Sequence, residues 1–324
     1  MRYRLFGRTG LRVSELLLGT MTFHDEQEAG RIVDAYADAG GNVLDTASAY
    51  GDSETILGKV VRRRDRFVIG TKYTLSRDAD DPNAAGNHRK NLVASLEQSL
   101  HRLRTDYVDI FWVHLWDRHT PIEETMRALD DAVRAGTVRY VGISDVPAWV
   151  VARANTLAEW RDWTPFSGLQ VPYNLLRRDA ERELLPMAEG LGLTVTAWAP
   201  LAGGVLSGSV NRVDPARLDD RERAAAKAVR EVAAELSVEP AQVALAWTMA
   251  KSRAVLPLVG ISKAEQLTAN LAALDLALPP SAVANLEAAT EFELGFPGDF
   301  IAECEPSPFA FGNAATQVVG RRQG

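Results

Sequence analysis

The feature that most constrains this chain is a unit that recurs along most of its length. A short β-branched or apolar run ends on a polar or small residue, and an amphipathic helical stretch follows. Eight such runs can be read: Glu15–Gly19, Asn42–Asp45, Phe67–Lys72, Val108–His114, Val138–Ser144, Gly168–Gln170, Thr194–Trp198 and Val255–Gly260. Helical periodicity lies between them, at Ile32–Ala39, Arg89–Leu103, Ile122–Arg134, Ala180–Leu191, Arg221–Leu236 and Ala241–Lys251. Strands joined through helices pair in parallel, because each crossover returns the chain to the same end of the sheet. Eight of them predict an α/β fold, a (β/α)8 TIM barrel, whose C-terminal strand ends all face one rim. Before the first unit, Tyr3–Val13 carries turn signals at Gly7 and Thr9-Gly10. It reads as an N-terminal β-hairpin plugging the bottom of the barrel.

The rival α/β architecture is a doubly wound sheet, which announces a dinucleotide site with G-x-G-x-x-G after its first strand. No such motif occurs. Gly51–Lys59 superficially looks like a phosphate loop, but six residues separate its glycines where the motif needs about four. A length of 324 residues suits one barrel domain, 1–324, and a hydrophobic fraction of 46% is enough for its core.

Charge and cysteine content narrow the partners. A net charge of −7 argues against a nucleic-acid binder. The one basic run, Arg62-Arg63-Arg64, reads as a solvated helix end. The only cysteine, Cys304, cannot form an internal disulfide, which fits a reducing compartment. The residues after Met1 lack a signal peptide's apolar core, and no apolar run is long enough to span a bilayer. A cytoplasmic protein acting on a small molecule is expected, with no nucleic-acid or membrane partner.

The rim of such a barrel collects reactive groups. The strand ends offer Asp45, Lys72, His114, Ser144 and Gln170, and Tyr50 follows Asp45 in the next loop. Four of these have complementary proton chemistry. A carbonyl that accepts hydride develops negative charge on oxygen, so a proton donor lowers the barrier. Tyrosine, with a free pKa of about 10, needs a neighbouring cation to favour its phenolate. Lys72 fills that part, held by an ion pair with Asp45, while His114 orients the carbonyl oxygen. The pattern predicts general acid catalysis with electrostatic stabilisation of an oxyanion. His119 follows His114 by five residues, off one helix face, and no carboxylate completes a metal set, so no catalytic metal is expected. His24 and His88 read as surface or capping residues.

Several motifs together resemble the aldo-keto reductase superfamily. Asp45-Thr-Ala-Ser-Ala-Tyr50-Gly is similar to its tyrosine loop, Gly70-Thr-Lys72 to its lysine strand, and Asp106 through His114 to its histidine strand. Gly7–Ser14, Leu18–Met21 and Gln170–Leu175 add to the likeness, which runs from about Tyr3 to Leu274. Asn87–Asn91 and Leu294–Pro297 point to a bacterial branch akin to aryl-alcohol dehydrogenases. The resemblance implies carbonyl reduction with NADPH (NADP+), NADH being possible. It places Gly19, Thr20, Met21 and Asp45 near the nicotinamide, Ser144 and Gln170 on its carboxamide, and Trp198 stacked on its ring. Pro200, Leu201, Gly203 and Leu206 belong to a loop that would wrap the pyrophosphate with backbone amides. Gly260, Ser262, Lys263, Gln266 and Asn270 would surround the adenosine end.

Two departures from the family pattern stand out. Asp145 replaces the usual asparagine after Ser144 and, unless protonated, can only accept hydrogen bonds. The cation near the 2′-phosphate is Lys263, one residue beyond the position where an arginine is common. For the substrate, Phe23, Tyr50, His114, Trp116 and Phe296 suggest an aromatic pocket for a small carbonyl compound, while Trp112 reads as core. The C-terminal segment, which in such proteins folds over the site, brings Phe296–Phe300 to the pocket. Gly320–Gly324 reads as a flexible tail. Related barrels also serve as cofactor-binding regulatory subunits of a channel-like partner, or reduce a sugar nucleotide or another biosynthetic intermediate. The lack of an extra N-terminal segment speaks against the first of these.

Overall fold

The computed structural model describes residues 1–208, 217–314 and 317. A hairpin of β1 (Tyr3–Leu5) and β2 (Arg12–Ser14) precedes the barrel. The barrel strands are β3 (Leu17–Gly19), β4 (Val43–Asp45), β5 (Val68–Tyr73), β6 (Val108–Val113), β7 (Val138–Ser144), β8 (Phe166–Pro172), β9 (Thr194–Trp198) and β10 (Val255–Gly260). They pair in parallel in chain order, and β10 closes the ring against β3 through Leu258–Leu17 and Gly260–Gly19. Around them run α1 (Glu26–Asp38), α2 (Ser53–Val60), α3 (Arg89–Leu103), α4 (Ile122–Arg134), α5 (Ala148–Arg161), α6 (Leu184–Leu191), α7 (Asp220–Leu236), α8 (Pro240–Ala250) and α9 (Glu265–Ala272). The predicted barrel is thus present. No single helix among the described residues is long and apolar enough to cross a membrane.

Element boundaries shift for identifiable reasons. Glu15 lies ahead of β3, where its carboxylate binds Arg2 and Arg4. The predicted Ala180–Leu191 helix is broken into a 3-10 turn, Asp179–Glu181, and α6. Pro186 has no amide to donate to a preceding turn, so the α-helix begins just before it. The segment once compared with a phosphate loop is the start of α2.

Strand periodicity sorts side chains between two layers. Leu17, Val43, Val68, Ile110, Trp112, Leu256 and Leu258 pack inside the barrel, and their strand neighbours face the helices. The hairpin seals the lower end as expected. The Gly7 amide donates to Thr194 Oγ1 at 2.8 Å, and Phe6 stands edge-on to Trp112 with ring centroids 6.1 Å apart. Gly7, at φ +58, lies so close to Ser167 that an added Cβ would sit 2.4 Å from its carbonyl oxygen. Trp112 is core, as predicted, and room for its indole comes from glycine. A Cβ at Gly142 would lie 2.3 Å from the ring, and one at Gly168 2.7 Å. The β7–β8 register slips between Val141 and Gly142, at this level. The floor of the barrel is therefore Phe6 and Trp112, and the rim chemistry stands above it.

Gly142→Ala should be destabilising, because the Trp112 ring it strikes is itself enclosed. Overpacking of this kind costs about 1–3 kcal/mol. Urea unfolding should show a lower midpoint; an unchanged one would mean that the indole can move aside.

Candidate active site

Strand parity delivers the site. Counting up each strand from its core positions, the next inward positions at the rim are Asp45 on β4, Lys72 on β5, Ser144 on β7, Gln170 on β8 and Trp198 on β9, with His114 just past β6. Lys72 is fully buried, and its Nζ donates to Asp45 Oδ2 and, at 2.8 Å, to the Thr46 carbonyl. Gln170 Nε2 donates to the other carboxylate oxygen, Asp45 Oδ1, at 3.1 Å. Gly70 leaves space between this group and the floor, since a Cβ there would be 2.9 Å from Trp112 Nε1 and would touch Asp45 Oδ1 at 3.4 Å. Burial pushes the Asp45 carboxyl above its ordinary range, while Lys72 and Gln170 pull it back down.

The loop that carries Tyr50 is fastened at both ends. The Tyr50 amide donates to Ala47, and the Ser53 amide donates back to Tyr50. The Ser53 hydroxyl joins those of Thr20 and Thr46 at the start of α2. Beneath it, buried Glu54 accepts from Thr71 and pairs with Arg102, which also binds the Ser48 carbonyl. These supports set the Tyr50 ring between two partners. Lys72 Nζ is 5.0 Å from its centroid, and His114 is edge-on at 5.7 Å and 83°.

The electrostatics differ from the sequence expectation in one respect. Lys72 does act to lower the Tyr50 pKa, but burial outweighs it, and the phenol is shifted upward overall. Tyr50 is therefore held protonated at neutral pH. Burial, helped by Lys72, lowers the His114 pKa to about 3. The imidazole is neutral, with Nδ1 buried and unpartnered among the described residues.

The residues expected at the cofactor divide. Trp198 is half-buried at the rim, and its indole Nε1 donates to Asp145 Oδ1 at 3.2 Å. Ser144 is buried. Gly203 (φ +66) and Gly260 open onto free space, as a close backbone approach to a ligand requires. Gly19 is half-buried and Met21 is exposed. The adenosine-end set stays together, although Gln266 Oε1 already accepts from the Ser262 and Lys263 amides, and Asn270 is buried. Pro200 is buried and Leu201 half-buried at the head of their loop.

Other residues have surroundings that differ from those expected. The Thr20 side chain is buried and hydrogen-bonded to Ser53 and the Asp45 carbonyl, so it supports the tyrosine loop. Leu206 is buried in the core and its amide donates to Leu201, so it offers a pyrophosphate neither side chain nor backbone. Gln170 meets the ion pair through its Nε2. Phe23 packs in the helix-facing core with Leu18, Ala29 and Ile32, out of reach of a substrate. Phe296 is 86% exposed, with the Phe300 ring 6.3 Å away. The C-terminal segment touches the rim instead through the Glu293 and Leu294 carbonyls, which accept from Arg182. It also forms two short exposed helices, Gly298–Cys304 and Pro308–Phe311. Gly320–Gly324 lie outside the described residues. His88 caps α3 through Nδ1, as a capping role predicts. No group of three or more potential ligands is placed to hold a metal among the described residues.

The arrangement can deliver a proton, steady an oxyanion and stack a flat ring beside both. A family model described as the aldo/keto reductase family matches residues 15–291. Norsolorinic acid reductase of Aspergillus flavus is 35% identical, over 92% of this chain and 83% of its own length. An aryl-alcohol dehydrogenase of Pestalotiopsis microspora is 36% identical, over 93% and 85%. The aldo-keto reductase ausK of Emericella nidulans is 38% identical, over 99% and 88%. These relatives are fungal, so they carry the likeness to aryl-alcohol dehydrogenases and lend nothing to a bacterial branch. On the family match and these relatives, the chain belongs to the aldo/keto reductase family and is an oxidoreductase.

Proposed function

We propose that this enzyme reduces the carbonyl of an aldehyde or ketone with NADPH, Tyr50 acting as general acid with help from Lys72, Asp45 and His114. The observation that carries the reading is the Tyr50 ring held between a fully buried ammonium and a neutral imidazole. When bound, the cofactor supplies hydride; the chain supplies everything that handles the proton. Burial keeps the proton on Tyr50 until the carbonyl oxygen accumulates charge. Lys72 then limits the cost of the phenolate left behind, and Asp45 with the Thr46 carbonyl keeps that ammonium in place. His114 offers a donor to the same oxygen without adding a charge. The half-buried Trp116, edge-on to Trp149 at 5.7 Å, supplies an aromatic wall. With relatives named for aryl-alcohol and norsolorinic acid chemistry, an aryl carbonyl compound is the substrate class that fits best. A single cysteine, which cannot form an internal disulfide, supports a cytoplasmic location.

Tyr50→Phe should abolish reduction while leaving the cofactor dissociation constant nearly unchanged, because only the proton donor is lost. Steady-state rates and fluorescence titration test this; activity within about tenfold of the parent would refute the assignment. The pH profile should lack a limb near the ordinary histidine value, since His114 titrates at about 3. A limb close to pH 6.5 that disappears in His114→Gln would overturn that account.

Cofactor choice turns on Lys263. The amides at the start of α9 are already bonded, Ser262 and Lys263 to Gln266 and Ala264 to Glu28 Oε1 at 2.9 Å. The exposed Lys263 ammonium is then the main attraction for a 2′-phosphate. A preference for NADPH over NADH of about tenfold follows from one charge-assisted hydrogen bond. Lys263→Ala should remove it by weakening NADPH alone; equal dissociation constants in the parent protein would exclude it.

A further inference from the structure

Asp145 ties three elements of the rim together. Its amide donates to the Gln170 carbonyl at 3.3 Å, its carbonyl accepts from the Trp116 amide at 3.5 Å, and its carboxylate receives the Trp198 indole N–H. Its backbone is left-handed, at φ +46, a conformation that short polar residues tolerate better than most. Three charges act on Tyr50: Lys72, Asp45 and Asp145. Lys72 is matched by Asp45, so Asp145 remains as the unbalanced negative charge of the set. Burial raises its pKa, whereas the indole N–H and Lys72 favour the ionised form.

A carboxylate here acts on a flat ring stacked against Trp198 in two ways. It attracts positive charge directly. By accepting the indole N–H it also enriches the electron density of the indole face, which strengthens a cation–π contact. A neutral side chain would lack the direct attraction, and as an acceptor would enrich the indole less. We infer that Asp145 makes this rim discriminate between the redox states of the nicotinamide cofactor, favouring the oxidised, positively charged ring over the neutral reduced one. The inference rests on the cofactor reading above.

Calorimetric titration of the full chain with NADP+ and with NADPH, at one ionic strength, tests it. NADP+ should bind the parent more tightly than NADPH. In Asp145→Asn the NADP+ constant should weaken by about tenfold, the scale of one nearby charge in a partly screened site, while NADPH is nearly unaffected. Asp145→Gly, which suits a left-handed backbone, provides a second neutral variant should the first fold poorly, and Asp145→Glu should restore part of the preference. A merely structural role would weaken both forms alike, so an unchanged ratio in the neutral variants overturns the proposal. If neither form binds the parent, the cofactor reading itself fails and the inference falls with it.

Discussion

A lysine ammonium with no exposure to water is the constraint around which this barrel is organised. Such a charge is tolerable only when its partners are fixed before it arrives. Lys72 meets a carboxylate from the neighbouring strand and a carbonyl from the loop that follows. The carboxylate is steadied in turn by Gln170, more than a hundred residues further along the chain. The Lys72–Asp45 contact joins paired neighbouring strands, but the Gln170 contact crosses the barrel and needs the ring of strands to be closed. The ion pair therefore couples completion of the fold to completion of the site. Deleting either partner would strand a buried charge, which costs far more than the pair itself contributes.

The layer beneath explains why the ion pair sits where it does. Phe6 and Trp112 fill the lower barrel, and Gly142 and Gly168 make space for the indole. Water is thereby excluded from below, and the polar groups are confined to the uppermost inward positions. The same dryness sets the protonation states. It keeps the phenol of Tyr50 protonated and the imidazole of His114 neutral, against the opposing pull of Lys72 on the tyrosine. Proton chemistry here is set first by burial and only then by neighbouring charge.

What was legible in the sequence follows the same division. Strands reveal themselves by period and by polar ends, so Asp45, Lys72, His114 and Trp198 could be placed on a rim without coordinates. The net direction of the tyrosine shift could not, because burial depends on packing from every side. Phe23 and Phe296 are chemically alike on paper, yet one is in the core and the other in solvent. Short-range pattern does not distinguish the two where a loop or tail decides the environment. The surroundings of Leu206 are not legible from pattern, because the loop around it turns on its own amides. The link from Thr20 to Ser53 is not legible either, because Ser53 lies in a helix that the periodicity does not bring out.

The start of α9 has a wider consequence. Gln266 and Glu28 occupy the amides that a helix start would otherwise offer to an anion. Arrival of a phosphate group there is an exchange of hydrogen bonds, with two oxygen acceptors displaced for those gained. A small free anion brings nothing beyond the exchange, and so gains little by settling. A large ligand anchored elsewhere on the rim brings its remaining contacts with it. Amides bonded in this way would disfavour free phosphate and sulfate, and would yield more readily to a ligand that is held at a second point as well.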